Sequence, residues 1–125
     1  MSGERKNILV VEDNLETQLI IKVALRDSYN IALTNNSTDA IKFLKDHSFD
    51  LVLLDINLNG EGDGKDILEF LRERFSISEL PVIVMTAYDL SDEDKTYFTE
   101  NTNSFISKPI DKNIICNAIE NLIAK

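Results

Sequence analysis

Five short apolar, β-prone runs alternate with five longer stretches of helical period from Asn7 to the end of the chain. No Pro/Gly/Ser-rich linker and no internal repeat interrupts that alternation, and the 125 residues make an ordinary single-domain length. These observations predict one doubly wound α/β domain, with right-handed βαβ units building a central parallel sheet covered by helices on both faces.

The elements follow in order. Asn7-Ile-Leu-Val-Val-Glu12 is a continuous β-prone run, as expected of a strand buried on both faces. Asn14 offers a helix cap, and Leu15, Leu19, Ile20, Val23 and Ala24 fall on one stripe, which is expected to face the core. Tyr29 to Leu33 reads as a second strand; Ser37 or Thr38 caps the next helix, with Ala40, Ile41 and Leu44 inward. Asp50-Leu-Val-Leu-Leu-Asp55 is the third strand and the most apolar stretch. A loop of Asn, Gly, Glu and Asp runs from Asn57 to Gly64, before a helix carrying Ile67, Leu68 and Leu71. Pro81-Val-Ile-Val-Met-Thr86 is the fourth strand, its proline placed at the start, where a missing N–H is tolerated. Ser91 begins a polar helix whose first turn, Asp92-Glu93-Asp94, favours the helix dipole. Ser104 to Ser107 is a short fifth strand, and Asp111 opens a last helix with Ile114, Ile115, Ala118, Ile119 and Leu122 inward.

Composition narrows the function. A hydrophobic share of 43% suits a globular protein. No run approaches the roughly 18 apolar residues of a membrane helix, and the polar start carries no secretory signal. One cysteine cannot close an internal disulfide, which suits a reducing cytoplasm. A net charge of −9 argues against a nucleic-acid surface, and the single histidine against a His-rich metal site. His47 reads as a residue near a helix C-terminus, and Cys116 as a small packing residue.

In doubly wound sheets, ligands bind at the carboxyl ends of the strands. Strand one ends in Glu12-Asp13, strand three in Asp55 and strand four in Thr86-Ala87, while Lys108-Pro109 follows strand five. Three carboxylates, a hydroxyl and an ammonium are therefore expected on one edge. Like charges this close raise one another's pKa, and a hard divalent cation would relieve the repulsion. Mg²⁺ fits, with Mn²⁺ as an alternative, because it needs only one or two carboxylates and keeps several waters. Such a metal would neutralise charge spread over a phosphoryl group, with Lys108 and Thr86 completing the cradle, so phosphoryl transfer onto Asp55 needs no general base. Taken singly, each residue has a blander reading as a cap, a structural hydroxyl or a surface dipeptide.

Over about residues 7 to 124 the sequence resembles the receiver family of two-component response regulators. Ile8-Leu-Val-Val-Glu-Asp13, Leu51-Val-Leu-Leu-Asp55, Val82-Ile-Val-Met-Thr-Ala87 and Phe105-Ile-Ser-Lys-Pro109 carry the resemblance, in the family's order and spacing. The resemblance implies a flavodoxin-like (βα)5 fold with strand order 2-1-3-4-5, with residues 1–6 a flexible N-terminus and 7–125 the receiver domain. It implies that Asp55 accepts phosphorus from a phosphohistidine on a sensor histidine kinase or phosphotransfer protein. Asp13, Asp55 and the backbone carbonyl of Asn57 would ligate Mg²⁺, with Glu12 acting through water. Thr86 and Phe105 would be the switch pair, and the Lys108–Pro109 bond would be cis. The face made by the fourth helix, fifth strand and fifth helix would meet a downstream protein, with a homodimer as an alternative. The expected product is a cytoplasmic signalling switch rather than an enzyme with turnover, contacting neither nucleic acid nor membrane. Output through a separate protein is expected; a segment of a hybrid kinase or longer regulator would look the same.

The chain departs from the family in three places. Asn59 stands where a proline is frequent, and Gly64 comes one residue late, suggesting a one-residue insertion in a loop whose glycines allow φ > 0. Asn101 stands where many members have Gly, and is expected as a left-handed cap. Tyr88 lies two residues past Thr86, where its bulk would slow hydrolysis of the acyl phosphate, making it with Asn57 a modulator of phosphate lifetime; a partly exposed loop tyrosine is the equal alternative. Among rivals, a pseudo-receiver would lack an acidic, Thr or Lys position, and none is missing here. A haloacid dehalogenase-type hydrolase needs an Asp where Asn57 stands, and a flavodoxin-like carrier would not place Glu12-Asp13 against a flavin phosphate.

Overall fold

The computed structural model describes residues 5–56, 64–86 and 90–123. Five strands and five helices alternate along the chain: β1 (Asn7–Val11), α1 (Leu15–Leu25), β2 (Asn30–Thr34), α2 (Ser37–Asp46), β3 (Leu51–Asp55), α3 (Gly64–Arg72), β4 (Val82–Thr86), α4 (Asp92–Asn101), β5 (Ser104–Ser107) and α5 (Lys112–Ile123). The strands form one parallel sheet in the order β2-β1-β3-β4-β5, the doubly wound (βα)5 arrangement expected.

The sheet sorts its side chains by strand alternation. Leu9, Val11, Val52, Leu54, Val82 and Val84 face the layer of α2, α3 and α4, where Leu44, Ile67, Leu68, Leu71 and Phe98 close the core. Ile8, Val10, Leu51, Leu53, Ile83 and Met85 face α1 and α5, against Ile21, Leu25, Ile115 and Ile119. Strands β1, β3 and β4 are apolar on both sides because both sides are covered.

Several local expectations need correction. Helix α1 is turned the other way: Ile21 and Leu25 are buried, whereas Leu15 is 76% and Leu19 59% exposed, with Ile20 and Val23 also outward. Helix α1 has two apolar stripes, and Ile21 and Leu25, four residues apart, are the pair that reaches the sheet. In α5, Ile115 and Ile119 are buried while Ile114 is 57% exposed. The cap of α2 is Asn36, whose side chain accepts from Asp39 N–H, rather than Ser37 or Thr38. Asn101 is not left-handed, since no described non-glycine residue has positive φ; its amide donates instead to Tyr97 O at 2.7 Å. Asn14 and Ser91 cap α1 and α4 as expected, accepting from Thr17 N–H and Asp94 N–H. Asp111 Oδ1 accepts from Asn113 N–H and Ile114 N–H at the start of α5.

Gly64 has a spatial role. A Cβ there would lie 3.0 Å from Ile56 Cα, so the first residue of α3 presses on the backbone next to Asp55. Its requirement is room, not the φ > 0 freedom expected of the loop glycines. Gly60 and Gly62 lie outside the described residues.

Candidate functional site

The carboxyl edge of the sheet gathers charged residues against the apolar core. Asp55, the last residue of β3, is 2% exposed and aligned with Met85 of β4. Glu12, just past β1, is fully buried, and Asp13 beside it is half-buried. Carboxylate oxygens of Glu12, Asp13 and Asp55 lie within 4.8 Å of one another. Lys108 enters from the far side, beyond β5: its ammonium donates to Asp55 Oδ2 at 3.0 Å and sits 2.8 Å from Glu12 Oε1. That second contact is a buried salt bridge, so one ammonium lies against both carboxylates. The other Glu12 oxygen accepts from Asn14 N–H at 3.0 Å. The Lys108–Pro109 bond is cis.

Electrostatics follow from this packing. Burial pushes the Glu12 carboxyl from 4.5 up to about 7; Lys108 and Asn14 N–H pull against that rise and the Asp55 charge adds to it. Burial also works against the Lys108 ammonium, but the hydrogen bonds and charges of Glu12 and Asp55 outweigh it and hold its pKa above the ordinary value. One ammonium thus serves two buried carboxylates, with a third beside them. Only oxygen donors are offered, which suits a hard divalent cation.

Thr86 ends β4, opposite Ser107 of β5, and by alternation shares the sheet face of Val82 and Val84, which α4 covers. Phe105 is aligned with Val84 and is 38% exposed, so its ring is turned outward on the edge strand. Asn57, Ala87 and Tyr88 lie outside the described residues. His47 ends α2, in ring contact with Phe43 and Phe49 and remote from the acidic cluster in the fold. Cys116 donates weakly to Ala24 O at 3.8 Å, and burial, ahead of the opposing Lys112 charge, raises its pKa, as befits a packing thiol.

Two groups near the site escaped the sequence reading. Asn14 N–H orients Glu12, and the Gln18 side chain donates to the Glu12 backbone carbonyl. The legible signal for both was the helix cap immediately after the acidic pair.

Comparison with known proteins agrees with this geometry. The response regulator receiver domain matches residues 8–120. The transcriptional regulatory protein ZraR of Klebsiella oxytoca is 37% identical over 112 residues, which is 89% of this chain and 25% of that protein. The polar-differentiation response regulator DivK of Brucella anthropi is 29% identical, covering 84% of this chain and 85% of that one. The chain thus spans a quarter of ZraR and, at 54%, about half of the transcriptional regulator ycf29 of Pyropia yezoensis. Among solved structures, Vibrio cholerae chemotaxis protein CheY4 superposes with a TM-score of 0.85 at 16% identity, covering 96% of this chain and all (100%) of that one. The receiver domain of a Pseudomonas aeruginosa sensor histidine kinase, solved with magnesium in its active-site cleft, gives 0.84 at 24% identity, covering 98% and 100%. No helix among the described residues is long and apolar enough to cross a membrane. The chain belongs to the response regulator receiver domain family, the phosphorylation-controlled switches of two-component signalling.

Proposed function

We propose that residues 7–125 form a receiver domain in which Asp55 accepts a phosphoryl group from a phosphohistidine of a sensor histidine kinase or phosphotransfer protein. The observation that carries this reading is the buried Asp55 carboxylate, hydrogen-bonded to Lys108 and clustered with Glu12 and Asp13 at the end of the sheet. An Asp55 oxygen forms the new P–O bond while the P–N bond to the donor imidazole breaks, and the imidazole leaves with the bonding pair. Lys108, already on Asp55 Oδ2, follows the incoming charge onto a phosphoryl oxygen. Mg²⁺ is the cation we assign, held by Asp13, Asp55 and the Asn57 carbonyl, with Glu12 acting through water; Mn²⁺ suits the same donors. When bound, it supplies charge neutralisation for the phosphoryl oxygens. Thr86 then hydrogen-bonds the phosphoryl group and Phe105 turns inward. Tyr88 shields the acyl phosphate, so Tyr88→Ala is expected to shorten its lifetime.

The outward stripe of α1 opens at Leu15, close after Asp13, and leads away from the rim of the site. We assign it to the phosphodonor protein, which must reach Asp55 across that rim. The output face is made by α4, β5 and α5, where a downstream protein or a second copy docks. A reducing cytoplasm is the compartment this chemistry suits.

Intact mass after incubation with acetyl phosphate, with and without Mg²⁺, tests the reading beside Asp55→Asn. One added phosphate that needs Mg²⁺ and vanishes in the variant is expected. No adduct from acetyl phosphate or from a phosphorylated kinase would identify a pseudo-receiver instead.

A further inference from the structure

Helix α4 is held to the fold in an unusual way. Phe98 is its single buried side chain, with Tyr97 packed at the edge of the same core. Two cations of α3 also reach it, one in its first half and one at its end. At the start, Lys65 Nζ lies 2.7 Å from Asp94 Oδ1 and 5.5 Å from the centre of the Tyr97 ring. At the end, Arg72 Nε donates to the Asn101 carbonyl at 2.9 Å. The Arg72 Nη1 atom meanwhile donates to the carbonyls of Ser76 at 3.0 Å and Leu80 at 3.1 Å, so this guanidinium is fixed to the α3–β4 turn. Lys65 and Arg72 stand seven residues apart, hence on one face of α3.

The clasped helix lies where a signal from Asp55 would pass. By strand alternation Thr86 shares the sheet face that α4 covers, Phe105 is aligned with Val84 on the neighbouring edge strand, and Ser91, five residues after Thr86 in sequence, caps α4. A Thr86 hydroxyl drawn toward a phosphoryl group therefore acts on the sheet face against which α4 packs.

We propose that the two cations of α3 form a clasp that holds α4 in its resting position, and that the Lys65–Asp94–Tyr97 end is the part that gives way on phosphorylation. This deepens the receiver reading and rests on it. The Arg72 end, tied to carbonyls on both sides, is the pivot. A clasp of this kind is a brake on phosphorylation itself: whatever favours the resting state disfavours the state that holds the phosphoryl group, by linkage.

The test uses Lys65→Met and Asp94→Asn, which leave every proposed site residue in place. Two readouts are taken: hydrogen exchange of α4 amides in the unphosphorylated protein, and the initial rate of Mg²⁺-dependent phosphorylation by acetyl phosphate. Loss of one partly exposed ion pair is expected to raise both by about two- to five-fold. Both variants should move the rate in the same direction, and the double variant should add little to either. A simple field effect on the anionic donor would do otherwise: loss of the lysine would slow the reaction and loss of the aspartate would speed it. That pattern, or unchanged exchange in α4, overturns the clasp. If the unaltered protein takes no phosphate at all, the receiver reading has failed, while the exchange measurement still decides whether α4 is clasped.

Discussion

Helices α1 and α4 solve opposite problems. Helix α1 carries more apolar surface than the sheet can use: Ile21 and Leu25 pack inward while Leu15, Leu19 and Val23 face out. Helix α4 has barely enough, with Phe98 alone buried and its ends tied by Lys65 and Arg72. The first is firmly seated and exposes an apolar patch, which marks a surface made to be covered. The second is lightly seated and polar, which marks an element whose position can change at small cost. In one small domain, the surplus apolar surface and the lightly seated helix thus lie in different layers of the fold.

Truncating the anchors should separate them most. Ile21→Ala is expected to cost about 2–5 kcal/mol of global stability, read by denaturant melts. Phe98→Ala removes as much packing but from a local unit, so α4 amides should lose protection while the melt of the rest moves less. Equal global losses would mean that α4 is as integral as α1.

The loop that delivers α1 supplies the next test. Glu12 is raised by burial from 4.5 to about 7 in the folded protein, so the fold binds its proton more tightly than the unfolded chain does. Stability from this group is present below pH 4.5 and is lost as pH rises toward 7, by up to about 3 kcal/mol. Glu12→Gln should flatten that slope. Mg²⁺ should raise the melting temperature more at pH 8 than at pH 5.5, where the proton competes; equal gains would place the ion away from Glu12.

A smaller effect concerns the outer stripe. Leu19→Glu is expected to slow transfer from a phosphorylated kinase about tenfold, roughly 1.4 kcal/mol, and to leave phosphorylation by acetyl phosphate unchanged. Parallel losses with both donors would move the docking surface elsewhere. Smallest of all, Leu19→Ala should change stability by under about 0.5 kcal/mol, against the much larger cost of Ile21→Ala on the same helix.

The sheet was legible because its inner strands are apolar on both faces, and the gathering of Glu12, Asp13, Asp55 and Lys108 because the ends of parallel strands meet at one edge. The phase of α1 was not. With Leu15, Leu19 and Val23 on one stripe and Ile21 and Leu25 on another, helical period alone cannot say which faces inward. Asn36 carries no clearer signal than its neighbours, because Asn, Ser and Thr stand side by side there and any of them caps. The reaches of Lys65 and Arg72 to Asp94 and Asn101 are tertiary, and a seven-residue spacing on one helix was their single trace in the chain.

The contact between Gly64 and Ile56 has a consequence for how this family can vary. The chain leaves the strand at Ile56 and Gly64 touches that same spot, so whatever path the residues between them take begins and ends at one place. Lengthening such an excursion by one residue adds little closure entropy, since that cost grows only logarithmically with length. The extra residue inferred there can therefore be absorbed without shifting α3 or the acceptor. Selection is left free to rewrite that stretch for partner choice or phosphate lifetime, provided the returning residue stays small enough to lie against Ile56.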